Sequence, residues 1–250
     1  MTVVEKEWTF PAGERGVRVK TGIFTEGCTV DLHFKGSDSL IDMLLTVDAL
    51  RRQYGKYFKI SLNTPYFPYA RQDRRMQEGE SHSLKVVADL VNSCGFSEVF
   101  TVDPHSDVVE AVVNNLKIIP QHEAALQVLP SIAMDYDYLI APDAGALKKI
   151  YKLSHITGIP VVCATKARDA STGSISGVFI SDGECETLKG KRLLVVDDIC
   201  DGGGTFIALS AALPVECKRD LYITHGIFSK GKGQLMVDYQ NIFCYNDMSK

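Results

Sequence analysis

No apolar run in the 250 residues approaches the ~18 needed to cross a bilayer. The opening "MTVVEKEWTFPAGERG" lacks the apolar stretch of a secretory signal. No block of Lys or Arg stands out and the formal net charge is −4, so nothing favours a nucleic-acid partner. The seven cysteines are odd in number, scattered, and form no C-x-x-C pair. Cys163, Cys200 and Cys244 stand in or beside apolar runs, the setting of reduced, buried thiols. There is no short repeat and no low-complexity tract. These absences argue against a membrane protein, a disulfide scaffold and a repeat array, and predict a cytoplasmic protein.

What is present is an ordinary globular composition, 45% hydrophobic and 23% charged, enough for one large core or two smaller ones. Short β-branched and aromatic runs read as strands at 29–34, 59–64, 98–103, 138–143, 161–165, 192–198 and 221–228. Helical patterns lie between several of them, at 38–53, 83–95, 144–158 and 204–213. Such alternation predicts an α/β fold of mainly parallel sheets flanked by helices, and the apolar strands fit burial on both faces. A boundary near Pro130 divides the chain into halves, 1–128 and 129–250. The polar, small-residue stretch "KARDASTGSISG" (166–177) reads as a mobile loop.

Three predicted strands end in acids: Asp103 in "TVDPHSD", Asp143 in "APDAG", and Asp197 with Asp198 in "VVDDICDGGGTF". Ligands of open parallel sheets bind beyond the carboxyl ends of strands, although a single Asp there often only caps the next helix. After the Asp doublet, the amides around Gly203, Gly204 and Thr205 open a helix, where unpaired N–H groups and the dipole favour an anion. No Lys follows as in a nucleoside-triphosphate P-loop. The acids suit sugar hydroxyls or a divalent cation. By itself the stretch reads equally as a phosphate site or as a plain strand–turn–helix joint. The two prolines of "PYFPYARQDRR" (65–75) make it a loop. Its Arg forks suit phosphates, and its aromatics favour a binding loop over a solvated charge run. His105 in "DPHSD" reads either as a helix-start residue or as a metal or phosphate ligand.

Taken together, "PYFPYARQDR", "DPHSD", "PDAG", "TKAR", "VVDDICDGGGT" and "THGIFS" resemble, in order and spacing, the ribose-phosphate pyrophosphokinases. "FPAGE" (10–14) and "SDSLIDMLLTVDALRR" (37–52) extend the resemblance. The acid–glycine stretch alone fits the wider phosphoribosyltransferase group equally well; the first two motifs separate them. The resemblance implies two phosphoribosyltransferase-like halves, an ATP-side one and a ribose-phosphate-binding one. It implies transfer of the β,γ-diphosphate of ATP to the anomeric hydroxyl of ribose 5-phosphate, with release of AMP and with Mg²⁺ as cofactor.

Carried over, Arg71 and Gln72 contact ATP, Phe10 stacks on adenine from a neighbouring subunit of a homo-oligomer, and Glu14 shapes that pocket. His105 and Asp143 match metal-holding positions, His105 also lying on the ATP side. Asp197 and Asp198 face the ribose hydroxyls, and Asp201, Gly202, Gly203, Gly204 and Thr205 surround the 5-phosphate. Lys166 and Arg168 match a catalytic loop.

The sequence also departs from the family's pattern. About nine residues precede Phe10 and about twenty follow "THGIFS", fewer than the resemblance implies, as for a shortened member. Gly202 stands where the family has a threonine whose hydroxyl contacts the phosphate. That opens space for an extended acceptor such as ADP-ribose. The competing expectations are a catalytically silent regulatory relative and a phosphoribosyltransferase.

Overall fold

A computed structural model describes residues 3–22, 24–168 and 175–249. The chain forms two units, Met1–Ile119 and Pro120–Lys250. The first begins with a hairpin of β1 (Val4–Thr9) and β2 (Arg15–Val19). There follow β3 (Gly27–Asp31), α1 (Asp38–Tyr54), β4 (Lys59–Asn63), α2 (Ser83–Ser93), β5 (Val99–Val102), α3 (Val108–Val112) and β6 (Leu116–Ile119). β3 to β6 pair in chain order as a parallel sheet. Its core takes Leu40, Met43, Val47 and Leu50 from α1, spaced so that one helical face is apolar. Leu84, Val87, Ala88 and Val91 do the same from α2.

The second unit holds α4 (Gln121–Val128), α5 (Ile132–Asp135), β7 (Tyr138–Ala141), α6 (Ala144–Thr157), β8 (Val161–Cys163), β9 (Thr165–Arg168) and β10 (Ile175–Phe179). Next come α7 (Asp182–Leu188), β11 (Arg192–Cys200), α8 (Gly204–Ala212), β12 (Lys218–Gly226), α9 (Leu235–Asp238) and β13 (Asn241–Asp247). The five-stranded parallel sheet runs β13-β12-β11-β7-β8. Strand order therefore reverses between β7 and β11, the position at which open α/β sheets bind ligands.

The buried run Leu193-Leu194-Val195-Val196 is apolar throughout because β11 is covered on both sides. Leu193 and Val195 enter one core with Phe206 and Leu209, while Leu194 and Val196 enter the other with Ile150 and Leu153. Each such side chain contributes about 1.5–3 kcal/mol by leaving water.

Three expectations are corrected here. α4, assigned by sequence to the first half, packs against α6, β12 and β13 and gives Ala124 and Ala125 to buried positions, so the second unit starts at Pro120 and not at 129. The flanks of the expected loop at 166–177 pair as an antiparallel β9–β10 hairpin, and residues 169–174 lie outside the described residues. The parallel expectation also omitted the β1–β2 hairpin, β6 and β13.

Candidate active site

In the second unit the site is built on the carboxyl ends of β7, β11 and β12. Asp143 follows β7 and caps α6, its carboxylate accepting the Ala146 N–H at 3.0 Å. The plain helix-cap role is therefore real, and it aims the carboxylate at the end of the sheet. α6 ends at Gly158, whose left-handed φ of 74° suits a residue without Cβ.

Within that helix, Lys149 donates to Asp198 at 2.9 Å, with both side chains largely buried. Alternation along β11 puts Asp198 on the α6 side and Asp197 on the opposite side. Asp197 accepts the Asp198 N–H at 2.9 Å. Burial raises its carboxyl pKa well above the usual range, and the Asp198 and Asp143 carboxylates add to the rise. Three acids and one lysine thus share one small region, and a sugar's hydroxyls could satisfy them by donating.

The turn after β11 is bare for two separate reasons. Gly203 has φ 80°, and a Cβ there would lie 3.2 Å from Leu235 of α9. Gly202 has no such backbone demand; a Cβ there would meet the Lys230 stem at 3.5 Å. Phe206 and Ile207 donate back to the Gly203 carbonyl, which starts α8. The amides of Gly204 and Thr205 stand in the first turn, where a helix has no internal acceptors. Asp201 and Gly204 are exposed at the rim, with Thr205 half-buried.

"THGIFS" shapes the adjoining loop. Ile227 and Phe228 both donate to the Cys200 carbonyl, at 2.8 and 3.1 Å. Phe228 is buried with φ 47°, and its ring occupies the space beside Gly226, where a Cβ would lie only 2.0 Å away. The chain beyond β12 is thereby folded against the end of β11.

In the first unit, "PYFPYARQDR" and "DPHSD" follow the neighbouring strands β4 and β5. The aromatics of the first motif do not form a ligand surface: Phe67 is buried, and Tyr66 and Tyr69 pack on Phe34 at 6.2 and 6.0 Å. They anchor a loop on which Arg71 and Gln72 stand exposed. Val102 donates to the Pro65 carbonyl at 3.0 Å, and Leu84 to that of Gln72 at 3.2 Å. Asp73 takes hydrogen bonds from Ser106 at 2.7 Å and from Arg74 at 2.8 and 2.9 Å. Tyr69 and Asp103 have φ of 61° and 39°, strained values for non-glycine residues and a common mark of functional loops. His105 is exposed beside Asp73. Phe10 and Glu14 close the β1–β2 hairpin through a 2.8 Å bond, and Phe10 is half exposed, edge-on to Trp8.

Lys166 and Arg168 stand on β9; their side chains lie outside the described residues. Among the described residues no three His, Cys, Asp or Glu side chains cluster as a metal cage. Mg²⁺ needs none, since it is held by one or two carboxylates together with phosphates. Asp143 provides the hard oxygen donor this requires, and His105 offers an imidazole nitrogen, a softer donor.

Two family models match the chain. One describes the N-terminal domain of ribose phosphate pyrophosphokinase, over residues 6–95, and the other a phosphoribosyl transferase domain, over 113–248. The chain is 30% identical over 202 residues to a ribose-phosphate pyrophosphokinase of Saccharolobus solfataricus, covering 79% of this chain and 67% of the relative. It is 32% identical to the one of Methanothermobacter thermautotrophicus, over 82% and 69%. The chain belongs to the ribose-phosphate pyrophosphokinase family.

The chain spans 60% of the length of one matched relative and 71% of that of another. The fold agrees with the crystal structure of a phosphoribosylpyrophosphate synthetase from Mycobacterium smegmatis, with a TM-score of 0.75 and 24% identity over 95% of this chain and 78% of that one. Family membership accounts for the motifs, Asp73 among them, but the pairings of Lys149 with Asp198, of Asp73 with Ser106 and of Lys230 with Gly202 lie outside any one motif. Those three partners stand 28 to 49 positions away, so no local pattern pointed to the pairings.

Proposed function

We propose that the protein transfers the β,γ-diphosphate of ATP to the anomeric hydroxyl of ribose 5-phosphate, or of a 5-phosphate-extended ribose such as ADP-ribose, and releases AMP. The observation that carries this reading is the placement of Asp197 and Asp198 directly before the bare turn 201–205, at the reversal of strand order. In the step, the sugar oxygen bonds to the β-phosphorus, the bond to the α–β bridging oxygen breaks, and the hydroxyl proton passes to water. Asp197 and Asp198 hold the 2- and 3-hydroxyls, the amides of 203–205 hold the phosphate, and Asp201 borders it. Arg71, Gln72 and His105 contact ATP; Phe10 and Glu14 form the adenine pocket, Phe10 from a neighbouring subunit. The first unit is then the ATP side and the second the ribose-phosphate side.

Lys166 and Arg168 neutralise charge that develops on the transferring group, the usual requirement in phosphoryl chemistry. Asp143, with His105 near the phosphates, would hold Mg²⁺, which supplies charge neutralisation when bound. A reducing cytoplasm suits the thiols: burial raises those of Cys28, Cys94 and Cys244 to about 11 and that of Cys200 to about 12.

The extended acceptor rests on Gly202. A threonine there would add a hydroxyl donor, and a hydrogen bond to a charged group contributes about 1.5–3 kcal/mol. A terminal phosphate monoester, nearly dianionic, is affected most by its absence, while an esterified phosphate carries less charge and needs the room.

AMP release with ATP, Mg²⁺ and a panel of ribose phosphates tests the reading. Transfer to ribose 5-phosphate, ADP-ribose or both is expected, and excess chelator is expected to stop it. Absence of AMP with every acceptor would favour the silent regulatory relative. A strong preference for ribose 5-phosphate that Gly202→Thr leaves unmoved would reduce the glycine to a turn residue.

A further inference from the structure

Two lysines follow the "THGIFS" stretch, and they are used differently. Lys232 is neutralised: its ammonium donates to Asp247 at 2.6 Å and lies 4.6 Å from the centre of the Phe228 ring. Lys230 is exposed and has no hydrogen bond or ion pair among the described residues. Its stem does have a defined place. Cδ and Cε lie 3.5 Å, and Cγ 3.8 Å, from where a Cβ of Gly202 would be. The aliphatic chain therefore crosses the bare glycine of the phosphate turn. Its carrier is pinned as well: Phe228 is tied to the Cys200 carbonyl, and Gly231 donates to the Phe228 carbonyl at 2.7 Å. Lys230 sits at the tip of that closed turn.

We infer that Lys230 is a specificity-determining residue, whose ammonium binds the outer phosphate of an acceptor that carries a 5-diphosphate. This rests on the proposed reaction and assigns the substrate class of the same site. The turn amides face the phosphate attached to the ribose from one side and offer dipoles only. A second, ester-linked phosphate extends past Gly202, because nothing projects from that position. There it meets a compact point charge, which suits the freely rotating oxygens of a diphosphate. The glycine and the lysine act together. Branches on a residue at 202 would begin at contact distance from the lysine stem and displace it, so a bare position 202 is the floor on which Lys230 lies.

The test compares ADP-ribose and ribose 5-phosphate as ligands of the wild type, Lys230→Met, Lys230→Arg, Gly202→Thr and the double variant Gly202→Thr/Lys230→Met. Calorimetric Kd values are read beside kcat and KM. Lys230→Met is expected to weaken ADP-ribose about 10-fold more than ribose 5-phosphate, mainly through KM, and to lessen the salt dependence of ADP-ribose binding. Lys230→Arg should recover most of the loss. In the double variant the two effects should be less than additive, because Gly202→Thr already moves the lysine. Equal effects of Lys230→Met on both ligands, or no effect on either, would overturn the assignment, as would failure of ADP-ribose to bind. If the ligands bind with the expected ratio but no AMP forms, the reaction proposed above is lost and the role of Lys230 stands.

Discussion

Asp73 accepts a hydrogen bond from the Ser106 hydroxyl at 2.7 Å, and this bond ties the loop after β4 to the loop after β5. The same carboxylate receives Arg74 through two bonds. Arg74, then Ser106 and the nearby His105, hold its pKa down to about 2. The exposed Arg71 and Gln72 stand just before it on that loop, so a small acid in the middle of a charge run fixes the geometry of two motifs.

Asp73→Asn is therefore expected to raise KM for ATP about 10-fold while leaving kcat closer to the wild-type value, since it loosens the loop that carries the proposed ATP contacts Arg71 and Gln72. Its effect on stability has a definite pH signature. The folded pKa lies below the unfolded value of about 3.9, so the contribution is fully present above about pH 4 and is lost as pH falls towards 2. Acid melts of wild type and variant should converge at the low end of that window. Parallel curves would mean that the carboxylate is not held as described.

Asp197 has the opposite sign. Its folded pKa is raised by burial and by Asp198, so between the unfolded and folded values the folded state binds more protons. Stability must fall as pH rises through that range. Asp197→Asn, which keeps the shape without the charge, is expected to be more stable than wild type at neutral pH and to lose the fall in stability with rising pH. It should at the same time lose most activity. Thermal melts and AMP release at pH 7 check both halves, and an equally stable, fully active variant would remove Asp197 from the site.

Lys166→Ala should lower kcat about 10²-fold with little change in the KM of either substrate, the scale of losing one stabiliser of developing charge. Arg168→Ala should act in the same direction. Single-turnover measurements separate this from slowed product release, and an unchanged chemical rate would sink the role.

Gly226→Ala places a methyl group within the Phe228 ring, 2.0 Å from its nearest atom. Overpacking of this kind costs about 1–3 kcal/mol. Denaturant melts should show that loss. Because the displaced ring anchors the loop that carries Lys230, binding of ribose phosphates should weaken as well. A variant of wild-type stability would mean that the ring moves aside without cost.

Four helices and the main parallel strands were legible in the sequence because each rests on local periodicity: α1 and α2 repeat their apolar residues on one face, and β11 is apolar wherever both faces are covered. The elements that escaped lack such a signal. β1 reads "VEKEWT", a charged strand of a two-stranded hairpin that buries little. β6 reads "LKII", four residues in length. The β9 and β10 strands pair with each other outside the larger sheets, and among their described side chains Val178 enters a core while Phe179 is exposed, which leaves little apolar pattern to read.

The order of residues alone was enough to read the family and the contiguous pieces of the candidate site: acids at strand ends, a glycine turn, and an arginine loop. Each is a run of neighbours whose chemistry needs no distant partner to be recognised. What those pieces meet emerged with the folded chain. Asp198 pairs with Lys149, Asp73 with Ser106, and Gly202 lies under Lys230, across gaps of 49, 33 and 28 positions respectively. It also decided that the aromatics of the arginine loop are anchors, because Phe67 is buried and Tyr66 and Tyr69 pack against Phe34. Contacts of this range are set by sheet order and by the directions in which helices return. A linear pattern carries no information on either until the strands are paired.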